Sequence, residues 1–279
     1  MKRLLFVSAL GVLTACGNPA GTPQQPSGLT KQASLIVGEE GFAFNYKVFA
    51  LAGFTPFQTP YMGTLPEKPL ADKADTCVVT SGDKTDPLEQ FNFLAAPLGN
   101  GESVGGPVIL SANGTTYATL PERDLLGSPI YGSGLSEESI AVPPLPESLT
   151  LTLPGESYSS VSGATLTPVA RLEWTAPGQD EAVTPETAFS WTADDGAALI
   201  GFQVTQANEA GSGDDLNIFC LASDDGSFAF PAETQQDLTG LDSGKLMRTG
   251  RFDVRYESRG DTALLLASTS YLVFNLSAE

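Results

Sequence analysis

The sequence predicts a mainly β protein: an antiparallel, sandwich-like fold, built as one composite unit or as two successive β-domains after a flexible tether. Three observations carry this expectation. Short stretches alternate apolar and polar residues with a period of two, the pattern of a half-buried strand. Gly, Pro, Asn and Asp punctuate them closely, as in sandwiches and partly closed barrels. No stretch sustains the 3.6-residue period of a long amphipathic helix.

The first residues stand outside that fold. Lys2 and Arg3 precede an apolar run over residues 4–13, and Thr14, Ala15 and Cys16 follow. A positive start, an apolar stretch and a small-residue end are the parts of a secretory signal. The run is half the length of the roughly twenty residues that span a bilayer. Leu13, Thr14, Ala15 and Cys16 resemble the lipobox of bacterial lipoproteins, an aliphatic residue and two smaller ones before a cysteine. The resemblance implies cleavage after Ala15, a diacylglycerol thioether on Cys16, and usually a third acyl chain, such as palmitate, on the new amino group. Two or more chains anchor a protein stably. The alternative is an ordinary signal peptide with a cysteine near the cut. Gly17 follows the cysteine where an aspartate would favour the inner membrane, so the resemblance points to the outer membrane of the cell envelope.

Residues 16–36 are expected to be the lipidated cysteine and its tether. The stretch GNPAGTPQQPSGLTKQAS (17–34) has almost no large apolar residues and little reason to fold alone. A first β-domain is expected over 37–146 and a β-sandwich-like domain over 147–279. FAFNYKVFAL (42–51) alternates as one strand with an aromatic inner face. GPVILSANGTTYATLP (106–121) reads as two strands around Asn113-Gly114, a pair suited to a tight hairpin. VPPLPE (142–147) makes a stiff connector. If the strands after it pair back with the first half, the two halves form one composite. SLTLTLP (148–154), GFQVTQA (201–207) and RFDVRYES (251–258) alternate cleanly. In the last, Phe252, Val254 and Tyr256 share one side and Asp253, Arg255 and Glu257 the other. Residues 262–279 fit one or two further strands. Helical signals are short: a turn or two in KPLADKAD (68–75) and PLEQFNFLAA (87–96), and a short helix in PAETQQDLTGL (231–241) with Pro231 at or just before its first turn.

With Cys16 acylated, Cys77 and Cys220 remain. Both sit in strand-like stretches, on faces that point inward. Two buried thiols that meet outside the cytoplasm oxidise, so a Cys77–Cys220 disulfide joining the two halves is expected. The alternative is two separate buried thiols acting as small hydrophobes.

Thirty-three acidic residues face fourteen basic ones. Such a surface repels nucleic acid and anionic lipid heads. Lys245, Arg248, Arg251, Arg255 and Arg259 cluster late in the chain. They either pair with neighbouring acids such as Asp253 and Glu257 or dock an acidic partner, and the pairing is favoured.

The chain contains no histidine. That excludes Ser-His-Asp and Cys-His sites and removes the commonest neutral zinc ligand. There is no GxSxG elbow, no CxxC and no phosphate loop. Ser81 and Lys84 in SGDK lack companion motifs. Glu173 beside Trp174, and Asp194 and Asp195 after Trp191, are the carboxylates that a glycan hydrolase would need. The two tryptophans are otherwise core residues on neighbouring strands. Calcium is the cofactor to consider, at Asp194, Asp195, Asp224 and Asp225, since loop carboxylates are hard oxygen ligands. Asp-Asp-Gly is equally good turn chemistry, and that use is favoured.

ADTCVV (74–79) and IFCLASDDGSFAFP (218–231) resemble β-rich envelope lipoproteins of bacteria that carry a cysteine before an aspartate-glycine turn. The resemblance implies secretion and a structural cysteine. The function expected is that of a lipid-anchored envelope protein with a structural or binding role. Its rivals are the carboxylate-dependent hydrolase and a calcium-stabilised adhesion module. The display surfaces expected are the loops near Asn113–Gly114 and Gly132–Ser133 and the strand around Arg255, offered to an envelope protein or polysaccharide.

Overall fold

Leu29, Ala33, Leu35 and Val37 are buried at odd-numbered positions, so the strand alternation begins inside the stretch expected to be tether. The computed structural model describes residues 28–42, 45–63, 65, 70, 74–81, 101–125, 127–133, 145–178, 183–194, 198–206, 216–239 and 245–276. Its first strand, β1, runs Leu29–Phe42. The tether expected to reach residue 36 therefore ends by Leu29. Lys31 and Gln32 disguised the start, because a strand needs apolar residues on one face only.

The chain continues through β2 (Asn45–Tyr61), β3 (Thr76–Ser81), β4 (Val108–Ala112), β5 (Thr115–Leu120), β6 (Glu122–Leu125) and β7 (Ser128–Ser133). Then follow β8 (Leu149–Thr152), a 3-10 turn at Ser159–Val161, β9 (Thr165–Leu166), β10 (Trp174–Ala176), β11 (Ala188–Trp191) and β12 (Leu199–Gln206). The last elements are β13 (Leu216–Ser223), β14 (Ser227–Ala229), the helix α1 (Ala232–Thr239), β15 (Lys245–Arg259) and β16 (Thr262–Leu276).

Nine strands form the main sheet in the order β3-β13-β12-β15-β16-β1-β2-β7-β6. All its pairings are antiparallel except β1 with β16. Two smaller sheets cover one face: β5-β4-β8-β9 and β10-β11-β14. The first packs Leu110, Leu120, Leu149 and Leu166 onto Ala33, Leu35 and Val37 of β1 and Leu264 and Leu266 of β16. The second packs Phe189 and Trp191, with Leu238 of α1, onto Ile200, Phe202, Ile218, Cys220 and Met247. The opposite face carries Phe219, Leu221, Phe252, Val254 and Leu265, with Leu70 against them. The sandwich-like β architecture expected from the alternation is therefore present.

It is built as a composite. The main sheet takes strands from both sides of the 142–147 connector, and β8, just after it, pairs back onto β4. The hairpin at Asn113-Gly114 is present, with φ of 50° and 77° at the two turn residues. These left-handed angles match the right-handed twist of the flanking strands. The helix after Pro231 is present as α1, and residues 262–276 make one strand rather than two.

Two local expectations fail. The stretch 42–51 is not one strand: β1 ends at Phe42, β2 begins at Asn45, and those two residues pair. A period of two continues through a tight reversal, so the pattern alone hides it. Gly132 and Ser133 are not a loop. Both lie in β7, paired with Leu51 and Ala50 of β2. The helical turns expected at 68–75 and 87–96 fall outside the described residues, apart from positions 70, 74 and 75.

Close packing on the second face depends on small residues. A Cβ at Gly250 would lie 2.4 Å from the Cβ of Tyr271 and 2.5 Å from the Ser270 carbonyl oxygen. Glycine is the residue that fits where the backbones approach so closely.

Candidate functional site

A polar row crosses the main sheet on the face that carries the small sheets. Glu39 of β1 pairs in register with Ser270 of β16, and Ser270 pairs with Arg251 of β15. These residues belong to neither large apolar cluster. Over them runs the chain linking β9 to β10, whose backbone groups have no strand partner of their own. Buried backbone groups need partners, and the row supplies them. Val169 N–H donates to Ser268 Oγ (2.9 Å) and Leu172 N–H to Ser270 Oγ (3.4 Å). Arg251 Nη1 donates to the carbonyls of Ala170 and Arg171, both at 3.2 Å. Arg171 then turns back to Glu39 as a two-pronged pair, Nε to Oε2 at 2.8 Å and Nη2 to Oε1 at 2.9 Å. Glu39 also faces Tyr117. Burial first, and then this carboxylate, push the Tyr117 hydroxyl up to about 12.

Arg251 is the centre of the row. Its Nε donates to Asp224 Oδ2 at 2.6 Å and its Nη2 to Asp224 Oδ1 at 3.2 Å and to the Thr192 carbonyl at 2.7 Å. Trp191 Nε1 donates to the same Asp224 Oδ1 at 2.7 Å. Both charged side chains are 2% exposed. Each nitrogen of the guanidinium has an acceptor, and both carboxylate oxygens are taken. The cluster has no open position for a ligand. It pins the crossing chain, the Asp224 turn and the main sheet together.

Two of the four calcium candidates are engaged in contacts within the fold. Asp224 neutralises Arg251 and caps Trp191. Asp225 Oδ1 accepts the Ser227 N–H at 3.2 Å, and Gly226 follows with φ of 97°, so the pair makes a turn. Asp194 is half-buried and Asp195 lies outside the described residues. Among the described residues no group of three or more His, Cys, Asp or Glu could hold a metal ion.

Trp174 and Trp191 pair across β10 and β11, with ring centroids 5.7 Å apart edge to face. Trp174 also packs against Phe189 and Phe202, and Trp191 is buried. Trp191 lies in the core and Trp174 is half-buried against it. Glu173 is exposed beside them.

The basic strand is mostly paired. Glu257 takes Arg259 at 2.9 Å and lies 3.8 Å from Arg255, as expected. Arg255 also donates to the Thr165 carbonyl. Arg251 breaks the pattern, with Asp224 as its partner instead of Asp253. Cys77 and Cys220 are disulfide-bonded and face each other in the β3–β13 ladder, Cα atoms 4.0 Å apart.

A second polar cluster, not anticipated from the sequence, lies beside β6 and β7. Tyr131, fully buried, donates to Glu122 Oε2 at 2.6 Å and accepts the Val104 N–H at 2.8 Å. Ser103 Oγ donates to the same carboxylate oxygen. The Ser103 bond, then the Tyr131 bond, hold Glu122 below its usual carboxyl range. A depressed folded pKa contributes stability that is present above the unfolded value and lost as pH falls through the folded one. The stability gap between the native protein and Glu122→Gln is therefore expected to close as the medium is acidified below about pH 4, near the unfolded carboxyl value. Urea midpoints measured across the acid range test this, and a gap independent of pH would refute it.

No family model matches the sequence, and no curated protein matches it either.

Proposed function

We propose that the protein is a lipid-anchored component of the cell envelope, held at the outer membrane by acylated Cys16, with a structural or binding role rather than a catalytic one. The observation that carries this is the run from Lys2 to Cys16, a short apolar signal ending in Leu-Thr-Ala-Cys. The disulfide between Cys77 and Cys220 supports it, because such bonds persist where the surroundings are oxidising. The start of β1 at Leu29 supports it too. Twelve residues separate Cys16 from the first strand, a spacer of at most about 40 Å at full extension. The role is then display. The acyl chains fix position, the spacer sets reach, and a β scaffold presents exposed turns such as Asn113-Gly114 to an envelope protein or polysaccharide.

The test is the intact mass of native protein extracted in detergent, with and without reduction and alkylation. Loss of residues 1–15 together with added acyl mass is the expected result. Cys77 and Cys220 should take up alkylating agent only after reduction. An unacylated mass, or a Cys16→Ala variant that stays with the membrane, would overturn the proposal.

A further inference from the structure

We propose that the end of the long sheet where β1 begins rests on the lipid surface, with Phe57, Tyr61 and Met62 seated at the boundary between headgroups and acyl chains. This rests on the reading of Cys16 as the anchor. Lys31 of β1 pairs with Pro56 of β2, but Leu29, two residues back, pairs with Tyr61, five residues on. Over this span β2 carries three more residues than its partner, a large bulge in the ladder. Bulges re-aim side chains and are built features rather than defects. Here the bulge brings Phe57 into a stack with Tyr61, ring centroids 6.2 Å apart. Met62 follows directly, 58% exposed. Among the described residues, only Met62 and Val79 are large apolar side chains left so open to solvent.

Position selects the occupant. Tyr61 is paired with the first residue of β1, so the patch sits where the chain leaves for the anchor, within about 40 Å of the acylated residue at full extension. Phe, Tyr and Met suit that boundary, since aromatic side chains gather at the headgroup level of membranes. The anchor holds the patch at high local concentration beside the bilayer, so a weak contact suffices to orient the fold. The acidic balance of the chain disfavours anionic lipid, so the surface rests on zwitterionic headgroups through apolar contact.

The experiment uses the full acylated chain in phosphatidylcholine vesicles containing brominated acyl chains. A fluorophore is placed on Met62→Cys or, as control, on Lys47→Cys. Lys47 is exposed and pairs with Glu40, nine residues beyond Lys31 along β1, about 30 Å further from the patch. Cys16 is acylated and Cys77 and Cys220 are bonded, so the introduced thiol alone takes the dye. Loss of fluorescence at position 62 and none at 47 is the expected result. Vesicle-bound protein with equal, aqueous signals at both positions would overturn the resting surface and leave the anchor standing. A dye at 62 that is shielded from water yet unquenched would put protein there and overturn it as well. Protein that fails to float with the vesicles would overturn both readings.

Discussion

Asp224→Ala is expected to lower the unfolding free energy by about 3–5 kcal/mol, the usual loss when one partner of a buried ion pair is removed. The remaining Arg251 would be a desolvated guanidinium facing three carbonyls, those of Ala170, Arg171 and Thr192, with no counter-charge. Trp191 Nε1 would lose its acceptor at the same time. The reciprocal change, Arg251→Met, leaves Asp224 buried and charged and carries a similar cost. The double change separates this cluster from an ordinary buried pair. Replacing both members of an isolated pair with apolar residues is often neutral or stabilising. Here the double replacement should recover only part of the loss, because the three carbonyls remain without donors. Urea unfolding followed by tryptophan fluorescence, with Trp191 inside the cluster, gives all three values. A loss under about 1 kcal/mol for Asp224→Ala, the size of an exposed pair, would show that the site is wet and the account wrong.

Arg251 also shows where sequence reading runs out. In RFDVRYES the alternation is correct: Phe252, Val254 and Tyr256 share a face, and Arg251, Asp253, Arg255 and Glu257 share the other. The inference from alternation is that the charged face meets water. It does so only if nothing covers it. The chain between β9 and β10 lies across that face, and what covers a strand is set by residues some eighty positions away. The features that were legible are local ones. Asn113-Gly114 encodes its hairpin through the backbone angles those residues tolerate. Pro231 marks the start of α1 because its fixed φ suits a first turn. Long-range placement leaves no such mark. Nothing in β1 announces that it will pair in parallel with β16 at the far end of the chain. Gly132 read as loop because a glycine signals a turn from sequence, although here it lies in a strand. The disulfide was legible for a different reason. The expectation of export and of an acylated Cys16 left two cysteines on strand-like stretches, and the register sets Cys77 opposite Cys220.

That disulfide carries the other large effect. Replacing both cysteines with alanine is expected to cost about 3–5 kcal/mol, near the upper range for a bond closing a loop this long. The two residues are 143 apart in sequence, so the bond removes much freedom from the unfolded chain. Its place in the fold decides how the loss is distributed. β3 is the edge of the main sheet, and β13 is its one strand partner among the described residues. Beyond the ladder, the contacts that hold it include Asp75, which accepts from the N–H and hydroxyl of Ser223. β13 itself is secured by β12 and by Ile218 and Cys220 in the core. Without the bond, β13 should stay protected while β3 opens first, since local opening starts where few contacts cross. Amide exchange should therefore accelerate most over residues 76–81 in the alanine variant, beyond the rise that the lost global stability gives the central strands β15 and β16. Uniform acceleration throughout would mean that the bond stabilises only by restricting the unfolded state. Unchanged exchange and an unchanged urea midpoint would mean that the ladder holds β3 alone, and that the covalent tie between the two halves contributes nothing to the fold.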